Sequence, residues 1–326
     1  MPVDSSLMVE GRAMAESLMA DFQSLSNVSV VTMRDDRLPE LGIDDVEVQR
    51  VTSKNEQESA FINLCQTVGR ILIIAPESEG VFGDRLETAR KLNPIAVMNC
   101  SGRALEVGCD KWELAEFCDE TKIPHISTAL WTGQDVDVSY PMVIKPRDGA
   151  GCEEIVVVKD GAIPAEIKSD GSRLVQPMLD GISLSSAACF SSEGELLLAL
   201  PLGEQHVSIT DSVKYQGGTI PWQHEMCDEA NRQATKIWSI FKKELIGLQG
   251  YVGIDWLWEE ETNTLRMVEL NPRLTTAYVG YRKLFGNELV KAMLGVSCEI
   301  DTTDFTQVSF TADGVVNRSE SIARPS

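Results

Sequence analysis

The sequence predicts an α/β lobe followed by a larger α+β region. Three observations support this. Helices alternate with short apolar strands over about the first hundred residues. From Ser183 onward, β-rich runs follow one another across short turns. The 326 residues are 43% hydrophobic, enough for two or three packed lobes at roughly 100–200 residues each.

Leu7, Gly11, Ala15, Leu18 and Phe22 recur at helical spacing, so residues 7–22 form the first helix. Asn27–Met33 is β-rich, and Val46, Val48 and Arg50 begin a short alternating run. Glu56–Val68 is helical, Arg70–Ala75 a fully buried strand, Gly83–Leu92 helical, and Pro94–Met98 a second buried strand. This alternation implies a parallel sheet covered on both faces, which places the first lobe at 1–100. Asp110–Glu120 is an amphipathic helix, and the chain turns out of it at Lys122–His125. Pro141–Lys145 and Ile155–Lys159 are strands flanking a glycine loop, with a further strand at Arg173–Gln176, so the central region spans 101–178. Antiparallel strands follow at Leu184–Phe190, Glu195–Leu200 and Gln205–Ser208, the first two joined through Ser191–Gly194. A helix covers about 226–244, a hairpin joins Tyr251–Trp258 to Thr264–Leu270, and a last helix covers about 283–294, within a third region at 179–305. Residues 306–326 end the chain as a polar tail, loosely ordered from 312.

The net charge of −21, from 50 acidic against 29 basic residues, repels phosphate backbones and argues against nucleic-acid binding. Basic residues in glycine-rich or apolar settings are correspondingly informative. None of the eight cysteines forms a Cys-x-x-Cys pair, and none of the three histidines lies at ligand spacing from one, which argues against zinc. Scattered apolar-context cysteines read as reduced thiols, consistent with the cytoplasm. Met1–Glu10 lacks the basic start and apolar run of a signal peptide, and no uncharged stretch approaches the ~18 residues that span a bilayer. A homodimer is the commonest assembly for such a chain.

Two motifs carry chemistry. In the first, a strand delivers Lys145, a loop with Gly149 and Gly151 follows, and a second strand begins near Ile155. Glycines let backbone N–H groups approach phosphate oxygens, and a lysine adds a point charge. The same residues also suit an ordinary hairpin with a surface lysine. The loop is neither a Walker A motif nor Gly-x-Gly-x-x-Gly. In the second, Asp255 lies on one strand, and Glu269 and Asn271 lie two apart on the next, facing one side. Two carboxylates and an amide oxygen suit Mg²⁺ or Mn²⁺ shared with phosphates. Arg273 just beyond offers charge for a transferring phosphoryl group. A solvated face with an Asn-Pro turn is the alternative, but Glu269 among Met267, Val268 and Leu270 is costly unless paired or metal-bound. Trp256 and Trp258 alternate with Asp255 and so belong to the core side. Lys111 opens a helix against its dipole, either for function or simply in solvent.

The ordered combination of Lys111, the Lys145-Pro146 strand and glycine loop, the Asp255 strand and Glu269-Leu270-Asn271-Pro272-Arg273 resembles the ATP-grasp superfamily over about 100–295. The resemblance implies an ATP-grasp fold behind a Rossmann-like, pre-ATP-grasp first lobe. It implies that Lys111 and Lys145 contact ATP phosphates under Gly149 and Gly151, that Gln176 and Met178 lie at the adenine hinge, and that Asp255, Glu269 and Asn271 hold the metal. Arg273 and Lys145 would be catalytic. Pro177 stands where the family often has a glutamate.

Val9–Met14, Ile74–Glu77, Asp148–Glu153 and Asn271–Gly280 further resemble the tyramine–glutamate ligase group of methanofuran biosynthesis. That likeness implies a small acid and an amine joined through an acyl-phosphate, with glutamate as the acid and tyramine or tyrosine as the amine. Arg147 and Arg282 are then candidates for binding a substrate carboxylate. Thr275, Thr276 and Tyr278 line the acceptor pocket or pack after a turn. A kinase of the same superfamily and a non-catalytic nucleotide-binding module are the other open classes.

Overall fold

Helix α1 (Ser6–Gln23) starts at an N-cap, Ser5, whose side chain accepts from the Met8 N–H, and buries Ala13, Met14, Leu18 and Met19 on one face. The computed structural model describes residues 5–134, 136–152, 154–161, 163–209, 213–297 and 306–318. The first lobe continues with β1 (Val31–Asp35), β2 (Glu47–Val51), α2 (Lys54–Thr67), a 3-10 turn at Ser78–Gly80 and α3 (Val81–Leu92). Strands β1 and β2 pair in parallel, as the α/β reading expects.

The two buried strands expected at Arg70–Ala75 and Pro94–Met98 are reduced to a single parallel bridge, Ile71 to Val97. A side chain replaces the rest of the ladder. Asn99 Oδ1 accepts from the Ile73 N–H at 2.9 Å and its Nδ2 donates to the Ile73 carbonyl at 3.0 Å. Buried backbone groups need partners, and Asn99 satisfies both of those on Ile73.

Helices α4 (Gly102–Cys109) and α5 (Lys111–Thr121) lead into a small sheet of β3 (Ala129–Leu130), β4 (Met142–Pro146), β5 (Val156–Val158) and β6 (Arg173–Pro177), in the order β3-β6-β4-β5. Its core is Met142, Ile144, Val158 and Val175. The large sheet contains β7 (Ile182–Phe190), β8 (Leu196–Ala199), β9 (Gly203–Ile209) and β10 (Val213–Ile220). After α6 (Cys227–Glu244) come β11 (Gly250–Glu259), β12 (Thr264–Asn271), α7 (Tyr278–Phe285), α8 (Asn287–Met293), β13 (Val308–Thr311) and β14 (Val316–Arg318). Its order is β12-β11-β7-β9-β10-β13-β14, with β8 also on β7. Helices α4, α5 and α6 cover one face around Trp238, Trp256 and Trp258. Helices α1, α7 and α8 cover other parts of the sheet around Tyr251, Tyr278 and Tyr281.

Four differences from the sequence reading have physical causes. Helix α1 packs on the third region rather than within the first lobe, because its apolar face meets α7 and α8. Strand β10 escaped notice because Gly217-Gly218 reads as a break. At Gly217, φ is +124° and a Cβ would lie 2.0 Å from the Phe310 carbonyl oxygen, so only glycine lets β13 approach there. The last helix is two, divided at Gly286. Residues 308–318 are an edge hairpin, with Val308 and Phe310 buried, rather than part of a polar tail. Residues 319–326 of that tail, and Cys298, lie outside the described residues.

Candidate active site

The hairpin of β11 and β12 sets Asp255 directly opposite Glu269. A register shift follows, with Val268 the extra residue on β12, so that Met267 pairs with Trp256 and both lie in the core while the two carboxylates stay opposite each other. Asn271 Nδ2 donates to Asp255 Oδ2 at 3.2 Å, and Gln205 Nε2, from β9, donates to Oδ1 at 2.8 Å. Burial, then the neighbouring Glu269 charge, pushes the Asp255 carboxyl up to about 7, against the two amide hydrogen bonds and Arg273. Two apposed carboxylates and an amide are the oxygen donors a hard divalent cation takes, and such a charge would relieve their repulsion. The residues present therefore fit Mg²⁺ or Mn²⁺. Among the described residues no three acidic, histidine or cysteine side chains are gathered, and the further oxygen-bearing side chain beside the two carboxylates is that of Asn271.

Lysines reach this cluster from the opposite lobe. Lys111, at the start of α5, donates to the Gly149 carbonyl at 2.5 Å and pairs with Glu269 at 3.0 Å. Lys145, at 6% exposure on β4, has no hydrogen-bond or ion-pair partner among the described residues. Burial, then the like charge of Lys111, brings its ammonium down to about 8, although Glu269, Cys152 and Asp255 pull it upward. A buried, unpartnered cation is costly and is the expected mark of a site for an anion. Gly151 in the loop adopts φ +63°, and a Cβ there would come 2.6 Å from Leu7 of α1. The glycine loop is thus packed beneath the first helix.

Arg273 follows β12 and is locked. Its Nε and Nη2 each donate to Glu77 at 2.7 Å, and its Nη1 donates to the Leu274 carbonyl at 3.1 Å. Arg147 does not reach toward a substrate in this structure. Its Nε donates to both oxygens of Asp110, at 3.0 and 3.1 Å, and its carbonyl accepts from the Lys111 N–H. Asp110 is also the N-cap of α5, so this cluster fixes the helix that presents Lys111. Gln176 is buried and donates to Thr128 at 2.8 Å, while the Met178 N–H donates to the Pro141 carbonyl at 2.8 Å.

Of the residues expected near the substrates, Thr276, Tyr278 and Arg282 bond to α1, and Thr275 bonds to β11. Tyr278 OH and Arg282 Nε both donate to Asp21 Oδ2, at 2.7 and 2.8 Å. Thr276 donates to Glu10 at 3.1 Å, and the Thr275 hydroxyl meets that of Tyr251 at 3.1 Å. Tyr278 is fully buried. Tyr278 and Arg282 are thus engaged with Asp21 of α1 in this structure. Removing Arg282 strands Asp21 with one partner. We expect Arg282→Ala to cost on the order of 3 kcal/mol of stability while leaving the substrate KM values unchanged. Denaturant titration beside steady-state kinetics checks this.

Two groups that the motifs did not single out belong to the site. Glu77 closes the Ile74–Glu77 stretch of the family likeness, but its residues alone assign it no role. Gln205 gave no signal at all, because nothing in the β9 pattern marks it.

An ATP-grasp domain family model matches residues 109–277, more than half of the chain, and a pre-ATP-grasp domain model matches 28–105. The chain belongs to the ATP-grasp superfamily. Among solved structures, an ATP-grasp superfamily protein from Archaeoglobus fulgidus is 22% identical, covering 95% of this chain and 88% of its own, with a TM-score of 0.70. N5-carboxyaminoimidazole ribonucleotide synthetase from Thermus thermophilus is 18% identical, covering 92% and 81%, with a TM-score of 0.69. The biotin carboxylase domain dimer of 2-oxoglutarate carboxylase from Hydrogenobacter thermophilus, solved with MgADP, ADP and bicarbonate, is 12% identical, covering 92% and 71%, with a TM-score of 0.66. At these identities the likeness establishes the fold: a pre-ATP-grasp lobe ahead of an ATP-grasp body. No curated protein matches this sequence. No helix among the described residues is long and apolar enough to cross a membrane.

Proposed function

We propose that this ATP-grasp protein is an ATP-dependent carboxylate–amine ligase that forms an amide through an acyl-phosphate. The observation that carries the reading is Lys145, a buried lysine without a protein partner among the described residues, electrostatically coupled to the Asp255–Glu269 carboxylate pair across the cleft. One side of that cleft suits phosphate and the other a divalent cation.

In this reading Asp255, Glu269 and Asn271 would hold the metal, which would neutralise phosphate charge and orient the nucleotide. Lys111, paired with Glu269 at 3.0 Å, would be free to meet phosphate oxygens once that carboxylate serves the cation. A substrate carboxylate oxygen attacks the γ-phosphorus of ATP, and the bond to ADP breaks. Lys145 and Arg273 offset the charge that develops, and the protein's main contribution is positioning. The amine nitrogen then attacks the acyl carbon, phosphate leaves, and the amine loses a proton. Gln176 and Met178 sit at the proposed adenine hinge. Glutamate with tyramine or tyrosine, in a methanofuran-type one-carbon cofactor pathway, is the substrate pair we propose. The support is the likeness of the Asp148–Glu153 and Asn271–Gly280 stretches to that group.

Hydroxylamine tests the acyl-phosphate. Incubated with ATP, Mg²⁺ and glutamate, the protein is expected to yield glutamyl hydroxamate with stoichiometric ADP. ADP release without hydroxamate, from any of a panel of small carboxylic acids, would instead indicate a kinase.

A further inference from the structure

Glu77 lies in the first lobe, far in sequence from either motif, yet it touches the heart of the site. It is 4% exposed and receives two hydrogen bonds from the Arg273 guanidinium, each 2.7 Å long. Two residues later, Glu79 adopts φ +56° and donates its backbone N–H to Asp148 Oδ2 at 3.0 Å. Asp148 opens the glycine loop. One short segment of the first lobe therefore grips both walls of the cleft, the arginine beyond β12 and the loop beyond β4.

An arginine carries five N–H donors. Here two go to Glu77 and one to the Leu274 carbonyl, leaving two N–H groups for a ligand. A free arginine side chain has much rotamer entropy to lose. A bidentate carboxylate removes that freedom before any ligand arrives. We infer that Glu77 is a positioning residue, holding Arg273 where it meets the terminal phosphoryl group of the nucleotide. The first lobe is thereby part of the nucleotide machinery as well as a neighbour to it. The inference rests on Arg273 being the phosphate-facing arginine of the reading above. It does not depend on which acid or amine is joined.

A double-mutant cycle on the full chain separates positioning from lobe docking. Affinities for Mg·ATPγS and Mg·ADP are measured by calorimetry for wild type, Glu77→Gln, Arg273→Lys and the double variant. Melting temperatures are recorded alongside. The expected result is that Glu77→Gln reduces the preference for ATPγS over ADP about tenfold, and that it changes nothing further once Arg273 is lysine. Glu77→Asp, which keeps the charge on a shorter arm, moves the same way by less, and stands in if the glutamine variant fails to fold. Equal weakening of both nucleotides, additive effects in the cycle, or an unchanged preference with a lowered melting temperature would overturn the inference. These affinities need no turnover, so a failure of the ligase reading appears separately, as absent hydroxamate in the wild type.

Discussion

Glu269→Ala is expected to lower ATP turnover about 10³-fold or more while the folded state survives. The carboxylate is one of two facing each other across β11 and β12, and it is held by Lys111 at 3.0 Å. Removing one preorganised group at a site of developing charge commonly costs about 10²–10³ in rate. Losing a metal donor also weakens the cation that the remaining groups depend on. Stability moves little, for two opposing reasons. The variant relieves the repulsion that the Glu269 charge imposes on Asp255. It also leaves Lys111 with only the Gly149 carbonyl as partner. ADP release at wild-type rates by a folded Glu269→Ala protein would remove the metal assignment.

Lys145 supplies the second large effect, and it has two signs. In the nucleotide-free protein its ammonium is buried, lacks a partner among the described residues and is pressed down to about 8. The unfolded chain holds the same lysine near its ordinary value of about 10.4. At neutral pH both states carry the proton, and the folded state bears a cost on the order of 3 kcal/mol. As pH rises from about 8 toward 10, the folded state sheds the proton first. The unfolded chain then binds more protons, and stability rises. Lys145→Met fills a similar volume without the charge. It should stabilise the nucleotide-free protein at pH 7 and abolish its share of the alkaline gain. The same variant should raise the dissociation constant for ATP by about 10–100-fold, the worth of one charge-assisted hydrogen bond. Thermal melts across pH 7–10 and calorimetry with ATP check both halves. Unchanged nucleotide affinity would place Lys145 outside the site.

The chemistry of the site was legible wherever it followed local spacing. Glu269 and Asn271 two apart on one strand, Asp255 beside Trp256, and Lys145 ahead of two glycines are short-range patterns, and the structure brings them within electrostatic reach of one another. The expected antiparallel hairpins, β11 with β12 and β7 with β8, also appear, because turn residues and apolar runs mark them. What escaped was non-local. Glu77 and Arg273 are 196 positions apart, and Asp21 and Arg282 are 261 apart. Both pairs form only through packing between lobes. Amphipathic α1 told of a helix but not of its neighbour. The apolar runs Arg70–Ala75 and Pro94–Met98 looked like fully buried strands, but Arg70, Pro94 and Ile95 are exposed, and beyond one bridge the side chain of Asn99 stands in for the ladder.

A crystal structure of the full chain with Mg²⁺ and a non-hydrolysable ATP analogue tests the central claim most directly. The account predicts a cation bound by Asp255 and Glu269 and bridged to the phosphates. It also predicts Lys145 on a phosphate oxygen, and Lys111 moved from Glu269 to the nucleotide. An analogue bound away from this cleft, with Lys111 still paired to Glu269 and no cation between the carboxylates, would contradict it.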